Sequence, residues 1–402
     1  HVTMTPQRHS SLPVLFLALL LVAAVAVPAA ADELVVQTKT GAVRGFASSG
    51  VRKWLGVPYG RDTSTSRYGP PQPAVSWAPA TLNATSFGPA CPQRNFEPIS
   101  EDCLSLNVFA PSAAAVGSSS LPVMVWIYGG GFLSGRSSDP VYDASWLVNS
   151  TQDIVVVTLN YRVGALGFLC DGADGAFRGN QGILDQRLAL QWVADNIGGF
   201  GGDARRVTLF GHSAGAMSVT VHVVSPPSYK LYAQAIVESN PMAFNYNAAT
   251  QATAANVFAK RLGCGSAANV SCLMDAPVPD ILRAQLLTHP LELDPLQTSG
   301  VLTFAPVIDN QLLDGQPVDL LAQGRFNRDA VLVFGTVRNE TESFVPNVPI
   351  GNRLYQLLLA EAFGQNASEV LALYPPAGRK DSRAQLVRLT TDWYPSPIAP
   401  TH

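Results

Sequence analysis

Residues 207–216 read Val-Thr-Leu-Phe-Gly-His-Ser-Ala-Gly-Ala. An apolar, strand-like run enters Gly211-x-Ser213-x-Gly215, and a helical pattern over 214–224 follows at once. A serine in that setting is a candidate nucleophile. The turn from strand to helix is so tight that side chains at its flanks would strike the neighbouring backbone, hence the two glycines. The turn also leaves the hydroxyl at a helix N-terminus, whose N–H groups and dipole favour developing negative charge. Attack on an ester carbonyl creates a tetrahedral oxyanion that needs donors. Gly129-Gly130-Gly131-Phe132, after a second apolar run, can supply them, because glycines let the main chain approach with its N–H groups exposed. The expected oxyanion hole is the N–H groups of Gly130, Gly131 and Ala214, each typically worth about 3–4 kcal/mol of transition-state stabilisation. The expected chemistry is acyl transfer through an acyl-enzyme on Ser213, with no cofactor and no metal.

The elements that must hold these groups are legible as apolar runs. Leu121 to Tyr128, Asp153 to Leu159, Arg206 to Phe210 and Ala330 to Phe334 are apolar on both faces, as suits interior strands of a covered sheet. Leu34–Gln37 and Gly41–Gly45 read as a hairpin, and Trp54 to Tyr59 as a short strand. Asp185 to Asn196 places Leu188, Leu190, Trp192 and Val193 largely on one helix face. Strands alternating with helices predict an α/β fold, a mostly parallel or mixed sheet flanked by helices.

The 402 residues carry a net charge of −3, with 47% hydrophobic and 14% charged residues, which excludes a disordered chain and gives no basic surplus for nucleic acid. Arg8 and His9 precede an apolar run from Leu12 to Val27 and then Pro28-Ala29-Ala30-Ala31. This reads as a signal peptide over 1–31, cut before Asp32, with one domain over 32–402. The run is short for a membrane anchor, and no later stretch is apolar enough to span a bilayer, so a secreted chain with no membrane contact after signal removal is expected. In an oxidising compartment the near pairs Cys91–Cys103 and Cys264–Cys272 are expected to form disulfides, leaving Cys170 a free, buried thiol. Asn83, Asn149, Asn269, Asn339 and Asn366 each begin a glycosylation sequon.

Longer motifs add a family. Ser100-Glu101-Asp102-Cys103-Leu104, VMVWIYGGGF at 123–132, NYRVGALGFL at 160–169, GNQGILDQRLALQWV at 179–193 and NIGGFGGD at 196–203 resemble the type-B carboxylesterase/cholinesterase family. The resemblance covers nearly all of the chain after residue 31 and implies the α/β-hydrolase fold. It implies Ser213 as nucleophile and Glu340, five residues after Gly335, as the acid that orients a histidine, with Glu342 as the alternative. It also implies Ser239 as a supporting serine near the acid. Two buried ion pairs follow from it, Arg67 with Glu101 and Arg162 with Asp185. The cysteine pairs match the family's first two disulfides.

The general base is where the pattern departs. The family's histidine lies well beyond the acid, and this chain reaches His402 before that point, so it reads as truncated at its C-terminus and lacking the catalytic histidine. His212 stands where most relatives carry a glutamate and is expected to line the site rather than act as base. His222 reads as a core residue, His289 as a loop residue before Pro290, and the position of His402 as accidental. The segment between Cys91 and Cys103 has only Phe96 as an aromatic, a poor platform for a choline cation, so an uncharged short- or medium-chain ester is the expected substrate. The competing reading is a non-catalytic binding or adhesion module, as in the neuroligins, or an inactive truncated isoform.

Overall fold

A computed structural model of the chain describes residues 34–112, 120–172, 175–241, 248–288, 302–342, 345, 347–376 and 381–393. The signal-like segment, His289 and His402 fall outside them. The strands are β1 (Val35–Thr38), β2 (Gly41–Arg44), β3 (Phe46–Ser48), β4 (Val51–Pro58), β5 (Thr81–Asn83), β6 (Ser105–Pro111), β7 (Leu121–Ile127), β8 (Val155–Leu159), β9 (Gly202–His212), β10 (Gln234–Glu238) and β11 (Val331–Gly335). The β1–β2 hairpin forms as expected and extends through β5 into a small sheet.

The main sheet runs β11-β10-β9-β7-β8-β6-β4-β3. From β11 to β8 neighbouring strands are parallel. From β8 to β3 they are antiparallel. This mixed sheet, flanked by helices, is the α/β-hydrolase fold. Every residue of β8 is buried, and so is every residue of β6. The helix Gln181–Asn196 starts before the Asp185 expected from sequence. The helix Ala214–Val224, directly after β9, is buried along its whole length.

One expectation is corrected. Residues 330–334 were expected to form an interior strand, but among the described residues β11 is the last strand of the sheet, with Val331 and Val333 62% and 51% exposed. An apolar run shows that a strand favours burial; it does not show how many neighbours the strand has.

Both disulfides are present, Cys91–Cys103 and Cys264–Cys272, and Cys170 is a free, buried thiol. Both ion pairs are present as well. Arg67 Nε lies 2.6 Å from Glu101 Oε1, and Arg162 Nη2 lies 2.7 Å from Asp185 Oδ1. Among the described residues no helix is long and apolar enough to cross a membrane.

Candidate active site

The nucleophile turn comes first. β9 ends at His212, and Ser213 takes φ 57°, ψ −123° before the helix begins at Ala214. A non-glycine residue in such a conformation stores about 1–3 kcal/mol and persists only where its surroundings fix it. The fixing contacts are clear. Ser213 N–H donates to the carbonyl of Glu238 on β10 at 3.0 Å, and its own carbonyl accepts from Met217 N–H at 2.9 Å. A Cβ on Gly215 would sit 2.1 Å from Ile127 O at the end of β7, and one on Gly211 would sit 2.7 Å from Gly215 C. Strand and elbow backbones are therefore in direct contact. Ser213 occupies the helix N-cap without bonding its hydroxyl into the helix, which leaves that hydroxyl for chemistry.

The glycine turn lies against this elbow. A Cβ on Gly129 would come within 3.2 Å of Ser213 Cβ. Gly130 has φ 122°, and a Cβ there would lie 2.1 Å from Ser134 O, so only glycine is accommodated. The turn is held by Leu133 and Ser134 N–H groups donating to Gly130 O at 3.1 and 3.2 Å. Phe132 is fully buried against Phe168, ring centroids 4.9 Å apart. Just before the turn, Tyr128 and Tyr161 stack at 4.4 Å, and each hydroxyl donates to the other's backbone carbonyl, at 3.0 and 2.8 Å. A rigid support of this kind is what oxyanion donors need, since misplacement by an ångström is costly.

Leu302 is a site residue that sequence reasoning missed. Its Cδ2 would lie 3.3 Å from a Cβ on Gly131. Asn180 anchors the segment that carries it: its amide exchanges 2.8 Å bonds with Val307 and donates to Asp309 Oδ2 at 2.9 Å. No local pattern marks Leu302, because its contact with the turn exists only in the fold.

The acid side is more loosely drawn. Glu340 lies half-buried just beyond the end of β11, its Oε1 accepting from Val337 N–H at 2.8 Å. Glu342 is exposed and accepts from Asn339 Nδ2 at 2.9 Å, while Thr341 between them is buried and bonds Val387 O at 3.2 Å. Ser239 is buried with φ 53°, and its N–H donates to Gly335 O at 2.8 Å, tying the end of β10 to the segment leading to Glu340. Among the described residues no hydrogen bond joins Ser239 Oγ to Glu340.

The described histidines are His212 and His222. His222 is fully buried, with Nδ1 2.9 Å from Ser228 Oγ and Nε2 3.1 Å from Gln186 Oε1. Gln186 Nε2 donates to Ser218 Oγ at 3.0 Å, and Ser218 donates to Ala214 O at 3.0 Å. Burial, with the Arg187 charge adding to it, lowers the His222 pKa to about 3. His222 is thus a neutral core residue, as its sequence context suggested. His212 is exposed and stands beside Glu238 in the β9–β10 register. Burial raises the Glu238 carboxyl pKa, and the nearby His212 charge opposes that rise. Among the described residues no imidazole is hydrogen-bonded to Ser213, and no cluster of His, Cys, Asp or Glu side chains could hold a metal ion.

A model of the carboxylesterase family matches residues 32–393. This chain belongs to that family. It is 36% identical to mouse cholinesterase over 340 residues, covering 78% of the chain and 55% of that protein. It is 38% identical to the acetylcholinesterase of Bungarus fasciatus over 345 residues, covering 79% of the chain and 55% of the relative. The cAMP-regulated D2 protein of Dictyostelium discoideum is 35% identical over 90% of the chain and 68% of its own length. The chain therefore spans about half the length of the two cholinesterases. Among solved structures, a PNB esterase superposes with a TM-score of 0.78 at 35% identity, covering 90% of this chain and 75% of that one. A thermophilic PNB esterase gives 0.79 at 34% identity, covering 91% and 76%.

Proposed function

We propose that the chain carries the nucleophile, oxyanion hole and acid of a serine carboxylic-ester hydrolase. The observation that carries this reading is the contact between the strained Ser213 elbow and the glycine turn. It sets a free hydroxyl beside backbone N–H groups suited to a tetrahedral oxyanion. Ser213 Oγ attacks the ester carbonyl, the N–H groups of Gly130, Gly131 and Ala214 hold the oxyanion, and the alcohol leaves. Water then releases the acid from the acyl-enzyme. Glu340 is the acid that orients the base. The base is assigned to a histidine outside the described residues. His222 is bonded to Gln186 and Ser228 and stays neutral, and His212 sits on β9 opposite Glu238 of β10. Without the base, catalysis falls to a residue of about 10³–10⁴ over water.

The preferred substrate is an uncharged ester of short or medium chain. The one aromatic of the Cys91–Cys103 loop, Phe96, already carries the Arg136 guanidinium over its ring at 5.0 Å, which disfavours a choline cation there. Leu302 against the glycine turn gives the site an apolar wall. Export through residues 1–31, with the folded domain beginning at Asp32, suits the two disulfides. A binding module alone has no use for a strained serine beside exposed donors. The test is hydrolysis of p-nitrophenyl acetate and p-nitrophenyl butyrate with Ser213→Ala as control. Serine-dependent release supports the reading; equal release by both proteins refutes it.

A further inference from the structure

A cleft of about 250 Å³ lies on the surface between the helix Gln181–Asn196, the Pro70–Pro71 segment and the 3₁₀ turn Pro226–Leu231. None of the active-site residues lines it. Pro71, Leu184, Leu188 and Leu231 give it an apolar side, and Gln191 is its one neutral polar lining residue. It has one charged lining residue, Arg187, which is half-buried and has no hydrogen bond or ion pair among the described residues. No carboxylate lines the cleft to pair with it. An unpaired guanidinium at the side of an apolar slot is complementary to a ligand with one anionic head and one aliphatic tail. Arginine holds a carboxylate through two parallel N–H···O bonds, which fixes its orientation as well as its charge. The volume lies below the roughly 300–1,000 Å³ of sites for drug-sized ligands, which points to a small occupant.

We propose that this cleft binds an aliphatic monocarboxylate, its carboxylate on Arg187 and its chain against Leu184, Leu188 and Leu231. The site is separate from Ser213 and requires no turnover, so it can be tested whether or not the chain hydrolyses esters.

The cleft also borders the polar relay behind the nucleophile helix. Gln186 and Ser228, the two partners of His222, sit on the same two elements that wall it. An occupant would therefore brace these elements, and its binding would register as increased thermal stability.

The experiment is calorimetric titration of the full chain with octanoate, and with octan-1-ol as the uncharged comparison. Arg187→Gln and Arg187→Lys are titrated alongside, with unchanged circular dichroism as the check on folding. The proposal expects saturable binding of one octanoate, weakened about tenfold to a hundredfold in Arg187→Gln by loss of the charged hydrogen bonds. Arg187→Lys should retain part of the affinity. Octan-1-ol should bind wild type no better than octanoate binds Arg187→Gln. Equal octanoate affinity in wild type and Arg187→Gln would overturn the proposal and place the carboxylate elsewhere, for example at Ser213. Absence of saturable binding would overturn it as well.

Discussion

Ser213 is bound into the backbone of three elements, and glycine at 211 and 215 is what lets them meet. Gly215→Ala would drive a Cβ to 2.1 Å from Ile127 O, a contact with backbone that no side-chain rotation relieves. The expected cost is about 1–3 kcal/mol of stability by denaturant unfolding, together with loss of any Ser213-dependent activity. His222 gives a residue-scale prediction of a different sign. Its folded pKa is about 3 against an ordinary 6.5, so the unfolded chain takes up a proton first as pH falls. Its stabilising contribution is therefore complete above pH 6.5 and is lost progressively from there toward pH 3. The slope is about 1.4 kcal/mol per pH unit once the unfolded histidine is protonated. Between pH 6.5 and 5, before most carboxylates titrate, unfolding free energies should fall with this slope in wild type. The fall should be shallower in His222→Gln. Equal slopes in both proteins would remove His222 from the account.

At the scale of elements, the Arg162–Asp185 pair fastens the segment after β8 to the helix Gln181–Asn196. Arg162 Nε and Nη2 reach both oxygens of Asp185, at 2.9 and 2.7 Å, and Nη1 reaches Gly69 O at 2.8 Å. Both side chains are almost wholly buried. Arg162→Met would leave Asp185 buried without its cation, with an expected loss of about 3–5 kcal/mol in chemical denaturation. Legibility in the sequence also divides along element lines. β7 and β8, with the Val207–Phe210 stretch of β9, are broken by no polar residue larger than threonine and could be read directly. β6 could not, because Ser105 and Asn107 interleave its apolar residues and mimic a solvent-facing alternation. The structure buries Asn107 and satisfies it, its Oδ1 accepting from Gly56 N–H at 2.9 Å and its Nδ2 donating to Ser137 and Thr158 at 3.0 and 2.9 Å. The nucleophile turn and the glycine turn were legible because each is local. The Leu302 contact and the His222–Gln186–Ser218 relay were not, because they join segments that only the fold brings together.

For the whole molecule, the sheet is asymmetric. Among the described residues β4 and β6 to β10 have a neighbour on each side, and β11 presents exposed Val331 and Val333 at an edge. Exposed apolar edges favour association between chains. A Val333→Lys variant should self-associate less by sedimentation velocity, with its secondary structure unchanged. The Cys91–Cys103 link closes a loop that carries Phe96, and Gln93 in that loop exchanges hydrogen bonds with Gly135 just after the glycine turn. Replacing both cysteines by serine should cost about 2–4 kcal/mol, read as a lower midpoint in denaturant relative to the oxidised wild type.

The central claim, that Ser213 is the acylated nucleophile, is tested most directly by peptide mass spectrometry after a short incubation with p-nitrophenyl butyrate and an acid quench. The account predicts one butyryl group on the peptide containing Ser213, absent from Ser213→Ala and diminished when Ala214→Pro removes an oxyanion donor. A folded protein that acquires no acyl group at Ser213, or acquires it at another residue and keeps it in Ser213→Ala, would contradict the account.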